Sequence, residues 1–168
     1  MERWQRIDCA PAAEAAGELR ICCGAERWVD RMLARRPFGS LEAARAAARE
    51  EWFALSPDDW KQAFVHHPRI GDVSALRARF GEAAAALSAR EQAGVAGADE
   101  GVLQRLLESN REYEWRFGYL FIVCASGKTA EQMLQMLRER LTNDPGEEIL
   151  IAAREHANIC DLRLAAVV

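Results

Sequence analysis

Asp99-Glu100-Gly101-Val102-Leu103-Gln104-Arg105-Leu106-Leu107-Glu108-Ser109-Asn110-Arg111-Glu112-Tyr113-Glu114-Trp115-Arg116 is the stretch that decides the fold class. Val102, Leu103, Leu106, Leu107, Asn110 and Tyr113 recur at three- and four-residue steps, which puts them on one face of a helix. The spacing predicts a helix from Asp99 to about Arg116. The one dense apolar run of the chain follows, Phe117-Gly118-Tyr119-Leu120-Phe121-Ile122-Val123-Cys124-Ala125. A strand and an extended end of the preceding helix both fit it, and periodicity does not separate them.

Working outward, the helical reading repeats. Residues 128–141 carry Met133, Met136, Leu137 and Leu141 at helical spacing. Asp144-Pro145-Gly146-Glu147 is a start signal for a last helix that reaches about Cys160 or beyond. Upstream, 12–21 and 25–35 are short amphipathic stretches, the second with Trp28, Met32 and Leu33. Pro37-Phe38-Gly39-Ser40 breaks the chain, and Ser40 caps a helix running through Trp52. In Ser56-Pro57-Asp58-Asp59 a hydroxyl, a first-turn proline and two acids against the dipole open a helix. It should end near His66, before Pro68. There is no repeat, low-complexity tract or linker. The expectation is an all-α single domain over 1–168, a bundle of about eight to nine helices with an extended apolar segment near 119–125.

Composition narrows the function. The chain is 50% apolar and 29% charged with a net charge of −4, so no basic footprint for nucleic acid or anionic lipid exists. No segment approaches the ~20 apolar residues of a membrane span. Met1-Glu2-Arg3-Trp4-Gln5-Arg6 lacks the apolar core of a signal peptide, and Ala165-Ala166-Val167-Val168 is not a peroxisomal address. The expected location is the cytoplasm. Cys9, Cys22, Cys23, Cys124 and Cys160 form an odd, scattered set without a C-x-x-C pair, which reads as reduced, mostly buried thiols. The only lysines among 22 basic residues are Lys61 and Lys128, leaving little material for Schiff-base chemistry.

Several motifs have competing readings. Gly127-Lys128-Thr129 resembles the end of a phosphate loop, but the required glycine five positions earlier is Ile122. Ser126 capping the next helix is the preferred reading. His66, His67 and His156 show neither H-x-x-x-H nor H-E-x-x-H spacing, and His156, among Ala152, Ala153 and Cys160, reads as structural. His67-Pro68-Arg69-Ile70-Gly71-Asp72 differs, because proline forces His67 out of helical geometry. A titratable imidazole fixed at a helix end suits proton transfer near neutral pH, and an exposed turn histidine is the alternative. Ser88-Ala89-Arg90-Glu91-Gln92 reads as a capping box at a helix start, which would also offer N–H groups to an anionic substrate.

Together these segments resemble the family of 2-oxo-4-hydroxy-4-carboxy-5-ureidoimidazoline (OHCU) decarboxylases. The resemblance rests on the hexapeptide at His67, Ser-x-x-Glu-Gln at Ser88, and Phe117 through Lys128. Arg140-Leu141-Thr142-Asn143-Asp144-Pro145, Leu162-Arg163-Leu164, Trp28 and Arg36-Pro37-Phe38 also fit, in one order along essentially the whole chain. It implies an all-helical, often dimeric carboxy-lyase without metal or organic cofactor, converting OHCU to (S)-allantoin in urate degradation. The resemblance maps the catalytic histidine onto His67, the catalytic carboxylate onto Glu91 and the C-terminal arginine onto Arg163. It maps substrate contacts onto Pro68, Ser88, Gln92, Phe121, Ile122, Val123, Cys124 and Ala125. His66 departs from the family pattern, where a small residue is common.

The chemistry is compatible with such a residue set. Loss of carbon dioxide leaves electron density that the conjugated imidazoline can delocalise, so no pyridoxal or thiamine sink is required. Planar amides call for paired donors and acceptors, such as backbone groups of 122–125 and the Gln92 amide. Arg163 can bind an oxyanion bidentately. Two other classes are carried forward: a non-catalytic helical binding module that retains the fold, and a metal-dependent hydrolase using the histidines.

Overall fold

The computed structural model describes residues 1–70, 72, 89–95 and 97–168. Among these, eight α-helices, one 3-10 turn, Ala93–Val95, and the helical residues 89–91 account for the regular structure. The helices are α1 (Arg3–Cys9), α2 (Ala12–Cys22), α3 (Glu26–Ala34), α4 (Leu41–Phe53), α5 (Pro57–Phe64), α6 (Glu100–Phe117), α7 (Ala130–Arg140) and α8 (Pro145–Ala165). The only pairing of extended residues among those described is one isolated bridge between Glu2 and Val167. The fold is all-α.

Two compact units divide the chain, one of 1–63 with 153–168 and the other of 64–152. In the first unit, three tryptophans bury their rings while each indole N–H reaches a carbonyl, the condition for burying an indole cheaply. Trp28 donates to Ala48 O at 3.0 Å, Trp52 to Ala153 O at 2.9 Å and Trp60 to Trp52 O at 2.9 Å. Arg3 closes the terminal segments together, donating to Arg163 O at 3.0 Å and pairing with Glu18 at 3.0 Å.

The second unit is built on α6 and α7. Val102, Leu106 and Tyr113 of α6 share an apolar core with Met133, Leu134 and Leu137 of α7. Asp99 caps α6 by accepting from Gly101 N, and Gly118 ends it in the left-handed region at φ +80°. That glycine decides the helix-or-strand ambiguity after Arg116, since a C-terminal left-handed residue turns the chain off the helix axis. Residues 119–125 then run outside any helix or strand. Phe121, Val123 and Ala125 enter the same core at alternate positions, the period of an extended chain.

Two helix ends differ from expectation. Helix α7 is capped by Thr129, whose hydroxyl accepts from Gln132 N at 3.2 Å while Gln132 returns a bond to Thr129 N at 2.8 Å. Ser126 does not cap it, because a turn closed by Lys128 N donating to Ala125 O occupies 125–128. Helix α5 stops at Phe64, where His67 N donates to Phe64 O at 3.1 Å and tightens the chain into a turn.

Candidate active site

The hexapeptide at His67 is anchored at three points of the second unit. The Phe64 ring, just before it, packs on Tyr119 with centroids 5.4 Å apart. Arg69 makes a two-armed ion pair with Glu114 of α6, at 2.6 and 3.0 Å. Ile70 joins the core that holds Phe121, Val123 and Ala125. Between these anchors His67 and Pro68 are buried, His67 to 8% exposure, while His66 is only partly covered. Burial therefore separates the paired histidines in the same sense as the proline argument.

Glu91 and Gln92 immediately precede the 3-10 turn Ala93–Val95. Ala89, Arg90 and Glu91 are helical and the helix ends there, so Glu91 lies in a last turn. The helix-start reading expected it to continue; Ser88 itself, with Gly71, lies outside the described residues. Gln92 is buried, and its carbonyl accepts from Val95 N at 3.0 Å. Gly94 follows Glu91 three residues on, inside the 3-10 turn. A Cβ there would sit 1.9 Å from Lys128 O, so this backbone lies directly on the loop that follows Ala125. Only glycine permits so close an approach.

Two basic side chains hold the backbone of the 121–125 segment. Arg140 Nη1 donates to Ile122 O at 2.6 Å, and Lys128 Nζ donates to Cys124 O at 2.6 Å. Arg140 in turn lies 2.6 Å from the fully buried Glu148 and stacks over the Phe121 ring at 4.6 Å. Tyr113 donates its hydroxyl to the same carboxylate at 2.5 Å, and Asn143 Nδ2 donates to the other oxygen at 2.9 Å. Burial, reinforced by the bond to Glu148, pushes the Tyr113 phenol well above its ordinary range, so it stays a donor. Sequence reasoning read Arg140 only as part of the Arg-Leu-Thr-Asn-Asp-Pro motif. The contact to Ile122 leaves no spacing signal.

Arg163 belongs to the other unit. It is buried, and Nη1 donates to Ile21 O at 3.0 Å and Cys22 O at 3.4 Å. At least one arm of its guanidinium thus holds the end of α2.

A model of the OHCU decarboxylase family matches residues 8–165. The chain belongs to this family. Its curated relatives include the uric acid degradation bifunctional protein TTL of Arabidopsis thaliana, 38% identical over 149 residues, covering 88% of this chain and 45% of that protein. The 2-oxo-4-hydroxy-4-carboxy-5-ureidoimidazoline decarboxylase of Amia calva is 39% identical over 77 residues, 46% of this chain and 44% of that one. The chain thus spans less than half the length of either relative. A crystal structure of an OHCU decarboxylase in the presence of (S)-allantoin superposes with a TM-score of 0.75 at 35% identity, covering 88% of this chain and 94% of that one. An (S)-allantoin synthase structure shares the fold alone, at 17% identity and a TM-score of 0.68 over 96% of this chain and 52% of that one.

Proposed function

We propose that this chain is a carboxy-lyase that converts OHCU to (S)-allantoin in urate degradation, with neither metal nor organic cofactor in the reaction. The observation that carries this reading is the family match over 8–165, which includes the buried His67-Pro68 and the segment 121–125. The same match runs through both compact units, which supports reading 1–168 as one domain.

In the reaction the bond from the ring carbon to its carboxylate breaks and carbon dioxide leaves. The electron pair passes into the conjugated imidazoline, and a proton is delivered to one face. His67 and Glu91 share the substrate hydroxyl and the proton transfers, and Arg163 binds an oxyanion. Pro68, Ser88, Gln92, Phe121, Ile122, Val123, Cys124 and Ala125 orient the ring and its ureido group. The carbonyls of Ile122, Cys124 and Ala125 already accept bonds from Arg140 and Lys128. Recognition through this segment therefore rests on its N–H groups, on second carbonyl lone pairs and on the buried Gln92 amide. A homodimer and a cytoplasmic location complete the reading, carried by the family resemblance and by the pattern of thiols.

OHCU also decays without a catalyst, so the deciding experiment is chiral. OHCU is generated enzymatically from urate, the protein is added, and the optical activity of the allantoin is followed. Enrichment of the (S) form in proportion to enzyme is expected. Racemic product at the spontaneous rate would return the chain to the non-catalytic binding module.

A further inference from the structure

In the first unit the structure brings together three donors that the proposed reaction does not use. We propose that Cys23, His156 and Cys160 form a buried site for a soft divalent cation, zinc in the first place. His156 and Cys160 are one turn apart on α8 and so share a face. Cys23 caps the C-terminus of α2 in an extended conformation and meets them there. The three ligand atoms all lie within 4.8 Å of one another, and all three residues are buried.

One distance within the cluster matches the spacing of two ligands on a zinc ion. Zinc–sulfur bonds of about 2.3 Å and zinc–nitrogen bonds of about 2.0–2.1 Å set a sulfur and a nitrogen ligand roughly 3.5 Å apart. Cys160 Sγ and His156 Nδ1 stand 3.4 Å apart. The imidazole is oriented from outside the cluster. Trp52 stacks on it with centroids 4.3 Å apart and planes 19° from parallel, and Trp52 is itself fixed by its bond to Ala153 O. The Cys22 carbonyl, 3.1 Å from Cys160 Sγ, offers an oxygen for the fourth position, although it also accepts from Arg163 at 3.4 Å.

Charge and softness then select the ligand. Two thiolates neutralise one divalent cation, so the occupied site is uncharged and tolerable in a core where an isolated ion is not. Binding expels the two thiol protons, and the cation replaces the bond that Cys160 donates to Cys22 O. Thiolate and imidazole favour zinc over magnesium or calcium, which seek oxygen. The bound ion would tie the end of α2 to α8, a structural role.

The test uses the full chain expressed with supplemental zinc or cobalt. One zinc per chain by native mass spectrometry is expected, with X-ray absorption showing two sulfur neighbours and at least one imidazole. The cobalt form should show thiolate-to-cobalt absorption and the intense visible bands of a tetrahedral site. Cys23→Ser or Cys160→Ser should weaken cobalt binding by more than the ~100-fold that losing a supporting hydrogen bond can cost. Cys22→Ala, which removes a thiol outside the cluster and keeps the backbone carbonyl, should retain it. The X-ray absorption measurement needs no variant and so stands even where a substituted core fails to fold. No metal in the native chain, a shell of oxygen and nitrogen only, or full binding in folded Cys23→Ser and Cys160→Ser would overturn the proposal.

Discussion

Arg140 Nη1 donates to Ile122 O at 2.6 Å, and the same guanidinium lies 2.6 Å from Glu148, a carboxylate with no exposed surface. One planar group thereby couples a buried ion pair to the backbone of the segment assigned to substrate contact. Its fork makes both contacts at once, which a lysine ammonium cannot reproduce. Arg140→Lys keeps a cation beside Glu148 but should lose the hold on Ile122. We expect kcat/KM for OHCU to fall at least about tenfold, the range for one hydrogen bond to a charged group. Arg140→Met strands the carboxylate and should also cost about 3–5 kcal/mol of stability. Steady-state kinetics with urea unfolding on both variants checks this, and normal kcat/KM in folded Arg140→Lys would deny the coupling.

The contact of Gly94 with Lys128 O makes a sharper steric prediction. A methyl group 1.9 Å from a carbonyl oxygen and 3.0 Å from its carbon forces two backbones apart, with no flexible side chain to yield. Gly94→Ala should destabilise the protein by about 1–3 kcal/mol, as overpacking does. Because the strained backbone lies two residues from the buried Gln92, turnover should suffer as well. Gly17, inside α2 with nothing within 4 Å of the place a Cβ would take, is the control. Gly17→Ala should stabilise by about 0.5–1 kcal/mol through helix propensity. Thermal melts of the two variants should move in opposite directions.

Local chemistry made most of the helices legible in the sequence. Ser40 caps α4 as expected, its hydroxyl accepting from Ala43 N at 3.1 Å, and the apolar stripe of α6 faces the core. Helix α1 escaped notice because seven residues carry too few turns for periodicity to register. Ser126 and Thr129 are both reasonable caps by residue type, and only the intervening turn chooses between them. The site was legible where a residue type is special in itself, as with proline after His67. It was not where long-range packing decides. His156 and Cys160 have the four-residue spacing of a helix face, but Cys23 joins them only because the end of the chain returns to its beginning.

The paired histidines should differ in kind. His67 is buried and immediately precedes Pro68, whereas His66 is partly exposed. His67→Asn should lower turnover by about 10² or more, the range for losing a general acid–base group, and His66→Ala by less than about tenfold. Both proteins are to be compared by circular dichroism before the stereospecific assay. Equal, severe losses in two folded variants would mean that the catalytic imidazole is misassigned.

At Glu91 the capping and catalytic roles make different demands. The helix containing Ala89, Arg90 and Glu91 ends at Glu91, so this side chain stands beside a helix end rather than opening a long helix. Glu91→Gln preserves size and can still accept a hydrogen bond, so a purely capping residue would survive it nearly unchanged. A lost cap would cost at most about 1–2 kcal/mol of stability and little activity. A carboxylate that carries charge or a proton in the reaction responds in the opposite way, losing most turnover with hardly any shift in melting. We expect the second outcome, because proton delivery after loss of carbon dioxide calls for a group besides His67 and the buried Gln92 beside Glu91 cannot titrate. Paired measurement of Tm and of (S)-allantoin formation separates the two, and near-normal turnover in Glu91→Gln would leave the residue a helix-end side chain only.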